Sequence, residues 1–287
     1  MSVLGILGLA GCGGGGAPAE PAALVSRGWD YYRLGEFTAA IEAFHRAELG
    51  TAEAAPEHLR ALYGQAVSWH LRRPGEDLAR AQDLYERVIA LAPESDLAAW
   101  SLLALARMKH VVPVGQEPDY DAVRAAYREV TERFPGHLAG QEAFVHTQAS
   151  LLLEESEARF REVLAATREF VATYPDSPFR SVVHEMMSHC YGELERPEEQ
   201  LDARIDALEA AETDPTNPWS SKVMDYWYIA VIAEFEVGDF DTARAYYAKL
   251  IEEYPADIHK FPAEQALTRM DAVEARLRQE LRGDTPP

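Results

Sequence analysis

Pro93, Pro135, Pro175, Pro215 and Pro255 follow one another at steps of 42, 40, 40 and 40 residues, and the residues ahead of them keep register. Twelve before each stand Ala81, Val123, Val163, Ala203 and Ala243. Eight before stand Tyr85, Tyr127, Thr167, Ala207 and Tyr247, and five before stand Val88, Val130, Phe170, Ala210 and Leu250. These three positions are spaced i, i+4 and i+7, so they share one face of an α-helix that the proline then closes. The small residue lets a neighbouring helix approach, and the two larger ones fill the space beside it. An earlier unit carries the same trio, Ala40, Phe44 and Ala47, behind Leu34-Gly35-Glu36-Phe37. A period near forty points to a stacked array, whose units bury their apolar faces only against their neighbours.

The periodicity predicts helical pairs at 22–34 with 37–49, 56–72 with 77–92, and 96–110 with 119–134. They continue as 138–152 with 155–174, 178–193 with 197–212, and 219–236 with 240–254, followed by a last helix that opens at Pro262 and ends near Arg282. The trio, the Val237-Gly238-Asp239-Phe240 and Leu34-Gly35-Glu36-Phe37 turns, and the small residues Gly28 and Gly64 within first helices resemble the tetratricopeptide repeat. The resemblance implies an all-α fold, a tetratricopeptide-like α-solenoid of about six helical hairpins plus a C-terminal capping helix. The expected organisation is a signal-like segment at 1–11, a Gly/Pro tether at 12–21, the array at 22–261, and a capping helix with a tail at 262–287.

The formal charge of −21 excludes a nucleic-acid binder, which needs a basic surface, and suits either a solvated acidic exterior or a basic partner. No apolar run approaches the ~18 residues of a membrane-spanning helix. The N-terminal Leu9-Ala10-Gly11-Cys12 resembles the lipobox of bacterial lipoproteins, which implies lipidation of Cys12 and a lipid anchor on the bacterial cell envelope, at the outer membrane facing the periplasm. The other cysteine, Cys190, falls on a helix as a small core residue, so no disulfide framework follows. Phe170-Val-Ala-Thr-Tyr-Pro-Asp-Ser-Pro-Phe179 resembles the repeat junctions of outer-membrane assembly lipoproteins.

No pattern of chemistry emerges. His184 and His189 are five apart, about 140° round a helix, where a zinc-binding helix needs histidines one turn apart. No phosphate loop or nucleophile elbow is present, so neither metal nor cofactor is expected and the chain reads as a binding protein, not an enzyme. In tetratricopeptide arrays the first helix of each pair lines the concave face. The resemblance therefore implies a ligand groove at Trp29, Tyr32 and Arg33 in the first unit. It adds His58, Gln65, Ser68 and Trp69 in the second, and Asp225, Tyr228, Ile232, Phe235 and Glu236 in the last. Trp29 and Trp69 would form one pocket wall; the alternative is that both rings fill space between helices. The expected partner is a protein or extended peptide. The alternatives are a subunit of a β-barrel assembly or pilus/secretion machine, and a solute- or glycan-binding lipoprotein.

Overall fold

In the computed structural model, which describes residues 20–72, 74–211 and 221–281, the regular structure is entirely helical among the described residues. The leader, Cys12, nearly all of the tether and Trp219 lie outside them. Six hairpins follow in order. They are α1 (Pro21–Arg33) with α2 (Phe37–Leu49), α3 (Pro56–Leu71) with α4 (Leu78–Leu91), and α5 (Asp96–His110) with α6 (Tyr120–Arg133). Then come α7 (Leu138–Leu152) with α8 (Glu157–Thr173), α9 (Arg180–Glu193) with α10 (Pro197–Ala210), and α11 (Val223–Val231) with α12 (Phe240–Glu253). A final helix, α13, spans Lys260–Leu281, so Pro262 sits at its third residue and not its first. The helices fall into two units, Met1–Gly140 and Gln141–Pro287.

Backbone chemistry sets the hairpins. Residues with left-handed φ stand at Gly35, Gly75, Gly115, Glu155 and Glu195, each forty after the last, and again at Gly238. The second helix of a pair then opens on a side-chain cap: Asp77, Asp119, Ser156 and Asp239 each accept a hydrogen bond from the backbone N–H three residues on. Such a cap contributes about 1 kcal/mol.

In the first unit the repeated trio forms the core. Ala40, Phe44, Ala47, Ala81, Val88 and Val130 are fully buried, and Tyr85, Val123 and Tyr127 nearly so. The Phe44 ring lies between two glycines: a Cβ on Gly28 of α1 or on Gly64 of α3 would each come within 2.5 Å of its edge. The first helices α1, α3 and α5 touch one another in succession as well as their own partners. They therefore form one layer and leave a shared face.

In the second unit, Ala243, Tyr247 and Leu250 of α12 occupy the same buried places against α11 and α13. The fifth pair departs from the proline register. Its second helix ends at Ala210 and that of the sixth at Glu253, 43 residues on, as Glu195 and Gly238 also are. Counted from these marks, Gln200, Arg204 and Ala207 align with Ala243, Tyr247 and Leu250 of the sixth pair, three residues ahead of the Ala203, Ala207 and Ala210 that Pro215 suggests, although Ala203 and Ala207 are buried while Gln200, Arg204 and Ala210 are half-buried. Pro215 does not follow its helix at the two-residue spacing that Pro93, Pro135, Pro175 and Pro255 keep. The helix expected over 219–236 also differs, turning π-helical over Ile232–Val237. This widened turn brings Glu234 inward, where Tyr247 donates to it at 3.0 Å and Arg269 of α13 clamps both its oxygens.

Candidate binding groove

On the first helices of the first unit, two stripes line one side: half-buried Tyr63, Val67 and His70 on α3, and half-buried Trp100 and Arg107 with buried Ala104 between them on α5. Both run i, i+4, i+7 and face each other across a recess of about 320 Å³. Leu71, Leu78, Tyr85, Met108 and Val111 complete the wall. The recess is apolar in its body, with Arg107 and His70 as its polar edge.

An aromatic row leads to it. Tyr32 meets Trp29 edge-on at 5.5 Å, Trp29 meets Tyr63 at 6.3 Å, and Tyr63 meets Tyr85 at 6.0 Å between ring centroids. Trp100, on the far wall, sits edge-on to His137 at 5.4 Å. Burial pushes the hydroxyls of Tyr32, Tyr63, Tyr85 and Tyr127 above the ordinary phenol range, and the positive charge of Arg107 opposes that rise at Tyr63, Tyr85 and Tyr127. All four remain neutral hydrogen-bonding groups at any physiological pH.

His70 and His110, forty residues apart, occupy the same place in successive repeats. Each sets Nδ1 against the hydroxyl of the tyrosine on the following helix, Tyr85 at 3.3 Å and Tyr127 at 3.2 Å. The sixth pair makes the same link with a carboxylate, Glu234 to Tyr247. This repeated polar tie satisfies the phenol at the end of an otherwise apolar trio. A forty-residue step through the histidines finds it in the sequence.

The side chains expected in a groove on the first unit divide into four groups. Trp29 and Tyr32 are half-buried and belong to the aromatic row, Trp29 also packing edge-on to Phe44 at 5.1 Å. Arg33 is exposed and pairs with Asp30. His58, Gln65 and Ser68 are buried, with exposures of 7, 1 and 0%, and offer no surface. Gln65 donates to Glu48 at 2.8 Å, Ser68 to the Gly64 carbonyl at 2.7 Å, and His58 Nδ1 lies 3.4 Å from the Thr51 hydroxyl. They point between helices because in α3 the recess side is the stripe of Tyr63 and Val67. Trp69 does not share a wall with Trp29. Counted from Gly28 and Gly64, it is the counterpart of Arg33; it packs against the α3–α4 core, whereas Trp29 packs against the cluster around Phe44, and it lies under Arg80, whose guanidinium carbon is 4.8 Å from the ring centre.

Glu48 joins this frame. Burial alone would raise its carboxyl, but hydrogen bonds from Gln65, Arg87 and His45 outweigh that and hold it below the usual carboxylate range. It ties α2 to α3 and α4 through Gln65 and Arg87.

In the second unit Tyr228 and Phe235 are exposed, and each carries a guanidinium over its face, Arg204 at 5.3 Å and Arg269 at 5.0 Å. Asp225 pairs with Arg204 at 2.9 Å, Glu236 is exposed, and Ile232 is buried in the core. Trp227 packs against that core, beside Tyr247. His184 is buried and His189 exposed, and no cluster of potential metal ligands occurs among the described residues. Cys190 is fully buried, and burial pushes its thiol up to about 11, so it packs as a small apolar residue and carries little thiolate.

A tetratricopeptide-repeat family model matches residues 226–257. A comparison with curated proteins finds no match. Among solved structures, one from a functional characterisation of Pseudomonas aeruginosa pilF is similar over 85% of this chain and 97% of that one, at 14% identity and a TM-score of 0.53. MamA from Desulfovibrio magneticus RS-1 covers 72% of this chain and 98% of its own at 18% identity, with a TM-score of 0.44. The fold is thus an all-α array of tetratricopeptide-like hairpins.

Proposed function

We propose that the chain is a non-enzymatic interaction scaffold that holds an extended peptide segment of a partner protein along α1, α3 and α5 of its first unit. The observation that carries this reading is the recess between α3 and α5, at the lower end of the size range of small-molecule and side-chain pockets. Its apolar wall takes one aliphatic or aromatic side chain. Arg107 and His70 orient the peptide backbone, and the row of Tyr32, Trp29 and Tyr63 extends the contact along the layer. Rigid rings are suited to this because they bury much area at small entropic cost.

A phage-displayed peptide library panned on the full chain tests it. The expected result is enrichment of sequences with a bulky apolar anchor that lose binding to Val67→Arg, which fills the recess, while the helical circular dichroism is retained. Peptides that bind the variant as tightly as the parent would refute the groove.

We further propose that the scaffold is tethered to the bacterial envelope through Cys12, on the strength of Leu9-Ala10-Gly11-Cys12 and the glycine run after it. Cys12→Ser should move the protein from the membrane fraction to the soluble one; unchanged fractionation counts against the anchor. The strongly negative charge favours a basic partner surface around the apolar anchor.

A further inference from the structure

The chain carries 48 acidic and 27 basic residues, yet one recess in its second unit is lined by three arginines. Arg161, Leu164, Ala165 and Arg168 fall at i, i+3, i+4 and i+7 on α8, and Leu194 and Arg196 come from the α9–α10 turn. The space between them is about 300 Å³. Glu195 is in the left-handed region at φ 53°, and the Arg196 N–H bonds back to the Tyr191 carbonyl at 2.9 Å, so the turn returns Arg196 over the end of α9.

The three guanidiniums are held differently. Arg161 pairs with Glu157 on the surface, and Arg196 with Glu199 where both are half-buried. Arg168 donates from Nη2 at 2.6 Å and Nε at 3.1 Å to one neutral oxygen, the hydroxyl of buried Tyr191. It forms no ion pair among the described residues, although Glu199 feels its charge at longer range. The Tyr191 ring also carries both cations, with Arg168 at 5.5 Å and Arg196 at 5.0 Å from its centre. Tyr191 therefore fixes two guanidiniums side by side at the rim of a recess floored by Leu164, Ala165 and Leu194. With Arg161 opposite and only two carboxylates engaged, the recess keeps a positive balance in a strongly negative molecule.

We propose that this recess binds a phosphate monoester. The forked guanidiniums match the oxygens of a tetrahedral dianion, which displaces the half-buried Glu199 from Arg196, and the apolar floor takes the organic group on the ester oxygen. The site belongs to the second unit alone and does not depend on the peptide groove of the first.

The test is a titration of the full chain with phenyl phosphate, inorganic phosphate and acetate at constant ionic strength, followed in the ¹H–¹⁵N spectrum. The expected result is saturable shifts at Leu194, Arg196 and the Arg168 side chain, with phenyl phosphate tighter than inorganic phosphate and acetate without effect. Arg168→Gln should weaken binding by roughly tenfold or more. Because Arg168 also supports Tyr191, Arg161→Gln is the second variant; it leaves that packing alone and should weaken binding in the same direction. Shifts that do not saturate, that acetate reproduces, or that both variants leave unchanged would overturn the proposal.

Discussion

Replacing Gly28 by alanine should destabilise the first unit, although the same change in an open helix would stabilise it. In a solvated helix interior, alanine is favoured over glycine by about 1 kcal/mol. Here the added Cβ would lie 2.5 Å from Cε1 and 2.7 Å from Cδ1 of Phe44. Carbon atoms in contact normally stand about 3.5–4.0 Å apart, so the overlap is about 1 Å. A free ring would turn away. The Phe44 ring is fully buried, and a Cβ on Gly64 of α3 would likewise come within 2.5 Å of the same ring edge. Trp29 packs edge-on to the ring at 5.1 Å between centroids. With both glycines and Trp29 against it the ring has no room to turn, so α1 must shift from α2.

Overpacking of this kind costs about 1–3 kcal/mol, and this geometry belongs at the upper end. After the helix-propensity gain, a net loss of about 2 kcal/mol remains. Native-state hydrogen exchange of the α1–α3 amides, beside a urea titration followed by circular dichroism, measures it locally. Phe44→Leu in the Gly28→Ala background should cost less than in the parent, with a coupling energy of about 1 kcal/mol or more, because the contact at fault has gone. The reasoning fails if Gly28→Ala is neutral or stabilising, or if the two changes simply add.

Three further outcomes follow from particular side chains. Glu195 stands at φ 53° where four other hairpins have glycine, so Glu195→Gly should raise stability by a few tenths to about 1 kcal/mol in a urea titration, whereas Gly35→Ala, at φ 76° with open space around it, should lower it by about 1 kcal/mol. His184 is buried, and loss of solvation pushes its pKa below the ordinary histidine value despite Asp206 at 3.6 Å, while Arg180 reinforces the fall. The unfolded chain therefore binds more protons, and stability should drop as pH falls below about 6.5; His184→Phe should flatten that slope between pH 7.5 and 5.5. Arg269→Ala should loosen α13, because it strips the partner from Glu234, which is only 8% exposed; with Arg269 itself half in solvent, a loss of about 2 kcal/mol in α12–α13 exchange is expected.

What could be read from the amino acids was what burial makes obligatory. Ala40, Phe44 and Ala47, and their counterparts on α4, α6 and α12, lie almost wholly out of water, so their spacing cannot vary without loss of the core. That constraint wrote the forty-residue step into the chain and placed twelve helices within a few residues of where they stand. Open surfaces leave no such imprint. Tyr63, Val67, Trp100 and Arg107 form the recess only because α3 and α5 lie in one layer, and half-buried residues tolerate many identities. His58, Gln65 and Ser68 show the converse: polar side chains on a first helix suggested a surface, but they are buried and turn to Thr51, Glu48 and the Gly64 carbonyl. The fifth pair shows where a periodic argument fails. Pro215 kept the interval of forty while its helix moved by three, and by that count Arg204 puts a guanidinium in the place of an aromatic ring. A charge so placed needs Asp225 at 2.9 Å and the face of Tyr228 to hold it, and those two residues come from the next hairpin. The departure in the fifth repeat thus explains why α11 presents Asp225 and Tyr228 toward α10. It also makes part of the face expected to grip a ligand a support for its own neighbour.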